Sequence, residues 1–241
     1  MQELDFWLDD ISARCNGIIL QNPVSFGKIA PRVTTVQVVG KSGDLHIDHD
    51  AFDNITGNAA CYCLSENVAE TMASVLAFLY SGTKGYRRLK VSDDMQHYRE
   101  ARIANAGEIS TRLALLNPFT IEFDCKPFRR LITGDDNIYL HSGDVVTNPT
   151  GFTAEPLIYF SAIDAGEIHI GEYSVSVTAL PGYAVMDCEM WTVYPENSPQ
   201  TYGYNSCIST NRFPLLEPGD NTVTWSGGVT VQKIVPRWRT L

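Results

Sequence analysis

One stretch near the middle of the chain, residues 120–125, constrains the fold more than any other. Ile121, Phe123 and Cys125 occupy alternate positions, and polar or charged residues lie between them. This period of two predicts a half-buried β-strand. Pro127 has no N–H to give to a sheet ladder, so we expect the pairing of this strand to end there.

The charge balance of the chain changes just after this strand. Residues 1–132 contain 14 Lys and Arg against 16 Asp and Glu, a net charge of −2. Residues 133–241 contain 4 against 12, a net charge of −8. A chain of 241 residues is long enough for one or two domains. We therefore predict two domains, 1–132 and 133–241, with the boundary near residues 131–135.

The first domain is predicted to contain several strands and one helix. Ser65 is suited to cap the helix, and glycines at 82 and 85 are suited to end it. The apolar positions between them follow a helical period and predict a helix that covers one face of a sheet. These positions are Val68, Met72, Val75, Leu76 and Leu79. The strands are predicted at 32–39, 44–47, 55–64, 86–91 and 98–105.

The second domain is predicted to contain short strands only. Turn-forming Gly, Pro, Asn and Asp separate them at close intervals, a pattern typical of a β-sandwich or barrel. The strands are predicted at 137–140, 157–161, 167–170, 173–179, 184–193 and 221–225.

The net charge of −10 argues against binding to nucleic acid or to an anionic membrane, both of which attract basic proteins. No apolar run approaches the roughly 18 residues of a membrane span, and the acidic start does not resemble a signal peptide. We therefore expect a chain that folds in a cytoplasm. Its six cysteines are then expected to be free thiols rather than disulfides.

Residues 46–50 carry the most prominent group of metal-ligating side chains. His46 and Asp48 share one face of the predicted strand, and His49 or Asp50 would need a bend to join them. A polar strand end is the other interpretation, and we favour it because no distant residues supply a third ligand. Cys61 and Cys63 likewise lack a partner pair and are interpreted as buried thiols.

The sequence contains no phosphate-binding loop, no nucleophile elbow and no dinucleotide fingerprint. Its carboxylates are numerous, and those considered for a glycosidase are Asp135, Asp136, Asp164, Asp187 and Glu189. Sequence spacing cannot show two of them flanking a cleft, as a glycosidase would require. This favours a binding or structural protein over an enzyme.

Several segments resemble the distal tail proteins of long-tailed, non-contractile bacteriophages and related prophages. The chain opens with Phe6-Trp-Leu-Asp-Asp-Ile-Ser, and the joint reads Phe119-Thr-Ile-Glu-Phe-Asp-Cys-Lys-Pro-Phe-Arg-Arg130. The second half contributes residues 184–190, 213–221 and the ending Ile234-Val-Pro-Arg-Trp-Arg-Thr-Leu241. The resemblance covers essentially the whole chain, and the segments occur in the order found in the family.

This resemblance implies a mainly β protein with one α-helix. Its N-terminal β-sandwich, 1–132, would form a ring with five further copies, and a galectin-like β-sandwich, 133–241, would lie outside the ring. The implied role is a structural hub of the phage tail tip, not an enzyme, and it needs no cofactor or metal. Its implied partners are the tail tube protein, the tail-associated or tail-fibre protein, and in some members a receptor-binding protein. The implied location is the virion, after assembly in the host cytoplasm.

Contacts between copies in such a ring are expected in the first domain, where charge is nearly balanced. Segments 33–47 and 86–105 read as strands with polar outward positions, and strand edges can pair with neighbouring copies. The candidate ring contacts are Val33, Val36, Val38, His46, Tyr86, Tyr98 and Arg102.

The alternative hypothesis is a carbohydrate-binding or glycan-cleaving β-sandwich protein. It predicts a concave cleft lined by aromatic and carboxylate side chains. The aromatic candidates are Trp191, Tyr194, Tyr202 and Tyr204, although packing in the core or rim of a sandwich would also explain them. The galectin sugar motif, a His with Asn-Pro-Arg and a later Trp–Glu pair, is not recognisable, so the resemblance does not itself imply sugar binding.

Overall fold

The computed structural model describes residues 3–63, 68–80, 85–106, 117–198 and 203–241. This part of the chain is mainly β with one α-helix, which confirms the predicted fold class. The chain divides into two compact units, residues 1–129 with Leu241, and residues 130–240. None of the helices in the described ranges is long and apolar enough to cross a membrane.

The described residues of the first unit form one large sheet, a separate hairpin and the helix. The elements are β1 (Phe6–Leu8), β2 (Ile11–Ser12), β3 (Ile19–Leu20), β4 (Ser25–Phe26), β5 (Pro31–Gln37), β6 (Asp44–Phe52), β7 (Ile55–Cys63), α1 (Val68–Tyr80), β8 (Arg87–Val91), β9 (Asp94–Ala106) and β10 (Asn117–Leu131), whose last two residues belong to the second unit. The sheet runs in the order β2-β1-β8-β9-β10-β7-β3, and β4 also pairs with β7.

The core of the first unit forms where the alternation of β10 predicts it. Ile121, Phe123 and Cys125 are fully buried, and the rings of Phe123 and Phe6 pack edge to face with 5.5 Å between their centroids. Pairing of β10 with β7 ends at Cys125 opposite Ile55. The pairing with β7 thus stops before Pro127, while the strand itself continues through the proline to Leu131. A proline is tolerated where its missing N–H is not needed by a neighbouring strand.

Helix α1 covers this core with part of the predicted stripe. Val75, Phe78 and Leu79 are buried, because positions i, i+3 and i+4 share one face. Leu76 lies on the flank of that face and is exposed, contrary to the prediction. The described residues do not include the predicted helix start at 65–66 or the glycine at 82. They also do not include the side chains of Val68 and Met72.

The second unit contains β11 (Ile138–Tyr139), β12 (Val145–Asn148), β13 (Leu157–Ile170), β14 (Tyr173–Val177), β15 (Tyr183–Asp187), β16 (Thr192–Pro195), β17 (Ile208–Ser209), β18 (Gly219–Val235) and β19 (Arg239–Thr240). Its sheet runs in the order β11-β18-β13-β14-β17, β12 also pairs with β18, and β15 lies between β13 and β16. Phe160, Ile168 and Met186 are fully buried in its core.

Four strand predictions in this unit need correction. Segments 157–161 and 167–170 are one strand, β13, whose register with β18 shifts between Ala162 and Gly166. A Cβ on Gly166 would lie 2.1 Å from the carbonyl oxygen of Ser226, so the close approach of these strands requires glycine. Segment 184–193 is a hairpin rather than a strand, and segment 221–225 is part of the 17-residue β18.

Candidate assembly interface

The hairpin of β5 and β6 is the most unusual surface of the first unit. Its two strands pair with each other, and with no other strand in the described part of the chain. Every residue from 31 to 50 is exposed. A two-stranded hairpin alone in water is marginally stable at best. A hairpin of this length with both outer edges open is therefore suited to contact another protein surface.

The register of the hairpin separates an apolar face from a polar face. Val36 lies opposite Leu45, and Thr34 lies opposite Ile47, so these four residues share one face. Val36, Leu45 and Ile47 are 37%, 48% and 45% exposed. The described chain therefore leaves a row of β-branched and aliphatic side chains in water, which is unfavourable unless something covers it.

The opposite face is polar. It carries Thr35 opposite His46 and Gln37 opposite Asp44, and Val33 opposite Asp48 is the apolar exception. The candidate contact residues Val33 and His46 thus lie on the opposite face from Val36. Val38 follows β5 at the turn, where its carbonyl accepts a hydrogen bond from the N–H of Lys41 at 3.1 Å.

Both histidines of the hairpin bind threonines of the facing strand. The Thr34 Oγ1–His49 Nε2 distance is 2.7 Å, and the Thr35 Oγ1–His46 Nδ1 distance is 3.1 Å. His46 and Asp48 share the polar face as predicted, but His49 shares the apolar face with Thr34. Within the described ranges, no group of three or more His, Cys, Asp or Glu side chains could hold a metal ion.

The base of the hairpin is attached to the rest of the first unit. Phe52, at the end of β6, packs edge-on against Phe128 with 5.6 Å between ring centroids. Arg32 Nε donates to Asp53 Oδ1 at 2.8 Å, and the Asp53 N–H donates to the Ala30 carbonyl at 3.2 Å. The hairpin is therefore fixed at its base and exposed along its length.

Two further candidates, Tyr86 and Arg102, belong to one exposed polar network. Asn54 Nδ2 lies 2.7 Å from the Tyr86 hydroxyl and 2.9 Å from Asp124 Oδ1. Arg102 Nε donates to Asp124 Oδ2 at 2.7 Å, and Lys126 Nζ lies 5.4 Å from the centre of the Tyr86 ring. Tyr86 and Arg102 are thus brought together through Asp124 and Asn54, and both present surface to the solvent.

Tyr98 has a different environment from the other candidates. Its side chain is only 5% exposed, and the Arg88 guanidinium lies 4.8 Å from the centre of its ring. It therefore offers little surface to a neighbouring copy. Leu45 and Ile47, which the candidate set omits, are exposed instead, and their alternation with His46 and Asp48 is the sequence signal that could have identified them.

The aromatic candidates of the alternative hypothesis are also separated. Trp191 is 71% exposed, and Tyr194 and Tyr204 are half-buried. Burial is the main cause that raises the pKa of Tyr194. Tyr202 lies outside the described residues. Among the carboxylates considered for a glycosidase, Asp187 and Glu189 are both bound by Arg237.

The described chain thus consists of two antiparallel β units that are connected in sequence by the long strand β10, and the first unit carries the single described α-helix. No protein-family model matches the sequence, and no curated protein matches it. A search of solved structures finds the crystal structure of the Dit protein (gp 19.1) of SPP1, described as a paradigm of the hub adsorption apparatus in phages that infect Gram-positive hosts. The match has a TM-score of 0.69 and 10% sequence identity, and covers 99% of each chain. The predicted resemblance to distal tail proteins is confirmed at the level of the fold.

Proposed function

We propose that the chain is a structural hub of a phage tail tip, built as a closed ring of six copies. The observation that carries the proposal is the exposed β5–β6 hairpin, on a fold shared along its whole length with a hub protein. Identical subunits close into a ring when each uses one surface to contact a different surface of the next copy. The β5–β6 hairpin supplies one such surface, because it is fixed at its base and its apolar face is exposed in the described chain.

The ring contacts involve two regions of the first domain, 1–132. The hairpin contributes Val33, Val36, Val38 and His46, and the polar network contributes Tyr86 and Arg102. We add Leu45 and Ile47, because they complete the apolar face, and we omit Tyr98 because it is buried. Each contact between copies should bury at least about 1,000 Å². The open edges of β5 and β6 allow further main-chain pairing between neighbours.

The charge balance of the two domains favours an arrangement in which the first domain forms the ring and the second domain, 133–241, lies outside it. Residues 1–132 carry 14 basic and 16 acidic side chains, so neighbouring copies meet without strong repulsion. Residues 133–241 carry 4 basic and 12 acidic side chains, and packing six such domains around one axis would crowd like charges. The second domain is proposed to be a galectin-like β-sandwich.

In this role the ring joins the tail tube protein to the tail-associated or tail-fibre protein, and its outer part offers an anchor for a receptor-binding protein. The chain is then a virion component assembled in the host cytoplasm, and not an enzyme. Negative-stain electron microscopy of the purified full-length chain tests the proposal. Closed rings with six-fold symmetry support it, and single particles of one chain's size at every protein concentration contradict it.

A further inference from the structure

The turn between β15 and β16 is held in place by ion pairs beneath it. Asp187 Oδ1 accepts hydrogen bonds from the backbone N–H groups of Glu189 and Met190, at 3.1 and 3.2 Å. Arg237 Nη1 and Nη2 donate to the two oxygens of Asp187, at 2.8 and 3.3 Å. Arg130 Nη2 donates to Glu189 Oε2 at 2.6 Å. Such charge-assisted bonds fix the turn in one conformation.

This fixed turn presents Trp191 to the solvent in an unfavourable backbone conformation. Trp191 is 71% exposed and its φ is +52°. Glycine adopts this left-handed region without cost, whereas a side chain with a Cβ is strained there. Burial of the indole cannot offset that strain, because most of it is in water. A strained and exposed aromatic side chain on a rigid turn indicates a binding role.

The Trp191 indole forms one wall of a cavity of about 500 Å³, whose other described lining residues are Thr210, Asn211, Arg212 and Phe213. This volume lies within the range of about 300–1,000 Å³ that small-ligand sites occupy. The Thr210 hydroxyl lies 2.6 Å from the Arg212 carbonyl oxygen and 3.0 Å from the Ser174 carbonyl oxygen, which fixes the facing loop. Asn211 and Arg212 are exposed at its rim.

We propose that this cavity is a binding site for a neutral saccharide. The flat indole can stack on the apolar C–H face of a pyranose ring, while Asn211 and Arg212 hydrogen-bond its hydroxyl groups. One aromatic wall with a few convergent polar groups is the usual design of a site for a small ligand. The acidic charge of residues 133–241, 4 basic against 12 acidic side chains, disfavours an anionic ligand. Asp187 and Glu189 are held by arginines and are not among the described residues that line the cavity.

This inference goes beyond the hub role and does not depend on it. Ligand-observed NMR on the full-length chain provides the test. The probes are the methyl glycosides of glucose, galactose and N-acetylglucosamine, together with cellobiose, lactose and chitobiose. Each is used at up to about 10 mM, because a single sugar site is expected to bind weakly, with a Kd near millimolar. We expect at least one probe to bind the wild type. Trp191→Ala should weaken that probe about tenfold or more.

Two further variants separate binding from folding. Trp191→Gly should weaken binding as much as Trp191→Ala does, but it relieves the backbone strain and should raise the unfolding temperature. Tyr139→Ala removes an equally exposed aromatic side chain (72% exposed) that does not line the cavity, and should leave binding unchanged. Absence of binding by all six probes, or equal binding by the wild type and both Trp191 variants, would overturn the proposal. The mass of the assembly in solution, measured for the same variants, reports on the hub role separately.

Discussion

Val36 lies directly opposite Leu45 in the register of β5 and β6, and the described part of the chain buries neither side chain. Removing apolar surface from water contributes about 25 cal/mol per Å². A neighbouring copy that covers about 100 Å² of this pair would therefore contribute about 2.5 kcal/mol to each contact. The pair is unfavourable in a single chain and favourable in an assembly.

A charge placed on the apolar face should prevent assembly without unfolding the chain. In Val36→Asp, burying the new carboxylate between copies costs several kcal/mol, because it has no partner there. We expect light scattering to show single chains and circular dichroism to match that of the wild type.

The control for this variant is Ile163→Asp, which places the same charge on an 88% exposed residue of the second unit. It should assemble normally. If Val36→Asp assembles as well as Ile163→Asp, the apolar face of the hairpin is not a contact surface.

Loss of the Arg237 guanidinium should destabilise the second unit. Its partner Asp187 has a side chain only 9% exposed and would be left without its arginine. Removing one member of a buried ion pair costs about 3–5 kcal/mol, and about 3 kcal/mol is expected for this partly exposed pair in Arg237→Ala. Chemical denaturation measures the free energy of unfolding.

The matched control is Glu167→Gln, which removes the charge from the exposed contact between Glu167 Oε2 and His169 Nε2, 3.1 Å apart. Exposed pairs contribute about 0–1 kcal/mol. Equal losses of stability in the two variants would contradict the role given to Arg237.

Gly134 is required by the close passage of another backbone segment. A Cβ at this position would lie 2.4 Å from the backbone nitrogen of Trp238, and backbone atoms cannot easily move aside. Gly134→Ala should therefore lower stability by about 1–3 kcal/mol. A Cβ at Gly151 would have no neighbouring atom within 4 Å, so Gly151→Ala should be neutral or slightly stabilising. Thermal unfolding of the two variants distinguishes them, and similar midpoints would show that the contact at Gly134 relaxes freely.

The cysteines should be free, and they should differ in reactivity. No disulfide joins any of the six, and Cys15 is exposed whereas Cys61, Cys63, Cys125 and Cys188 are buried. Burial raises the pKa of Cys61 and of Cys125 to about 12. These thiols therefore stay protonated and unreactive as the pH rises from 8 to 9.

Thiol titration at pH 8 should find Cys15 reacting first in the native protein. Six thiols should react in denaturant without reductant. A count of two or four in denaturant would show that disulfides form. Rapid native reaction of Cys61 or Cys125 would show that their burial is transient.

The sequence predicts the core of the first unit well because Ile121, Phe123 and Cys125 alternate without interruption. It could not predict that no described part of the chain covers the hairpin. A strand such as Thr34-Thr35-Val36 shows the same period of two whether its apolar face is buried within the chain or left for a partner. Only tertiary structure distinguishes these cases.

The turn that carries Trp191 was missed because 184–193 reads as one strand. The turn inside it depends on Asp187, whose carboxylate accepts bonds from two backbone N–H groups and from Arg237, 50 residues away. Local sequence does not contain that distant partner. The bulge between Ala162 and Gly166 was likewise mistaken for a break between two strands, because glycine is typical of both.

The mass of the full-length chain in solution, measured by multi-angle light scattering over a range of concentrations, tests the central claim most directly. The hub proposal predicts a species of about 160 kDa, six times the 26.7 kDa of one chain. A mass that stays near 26.7 kDa at every concentration would contradict it.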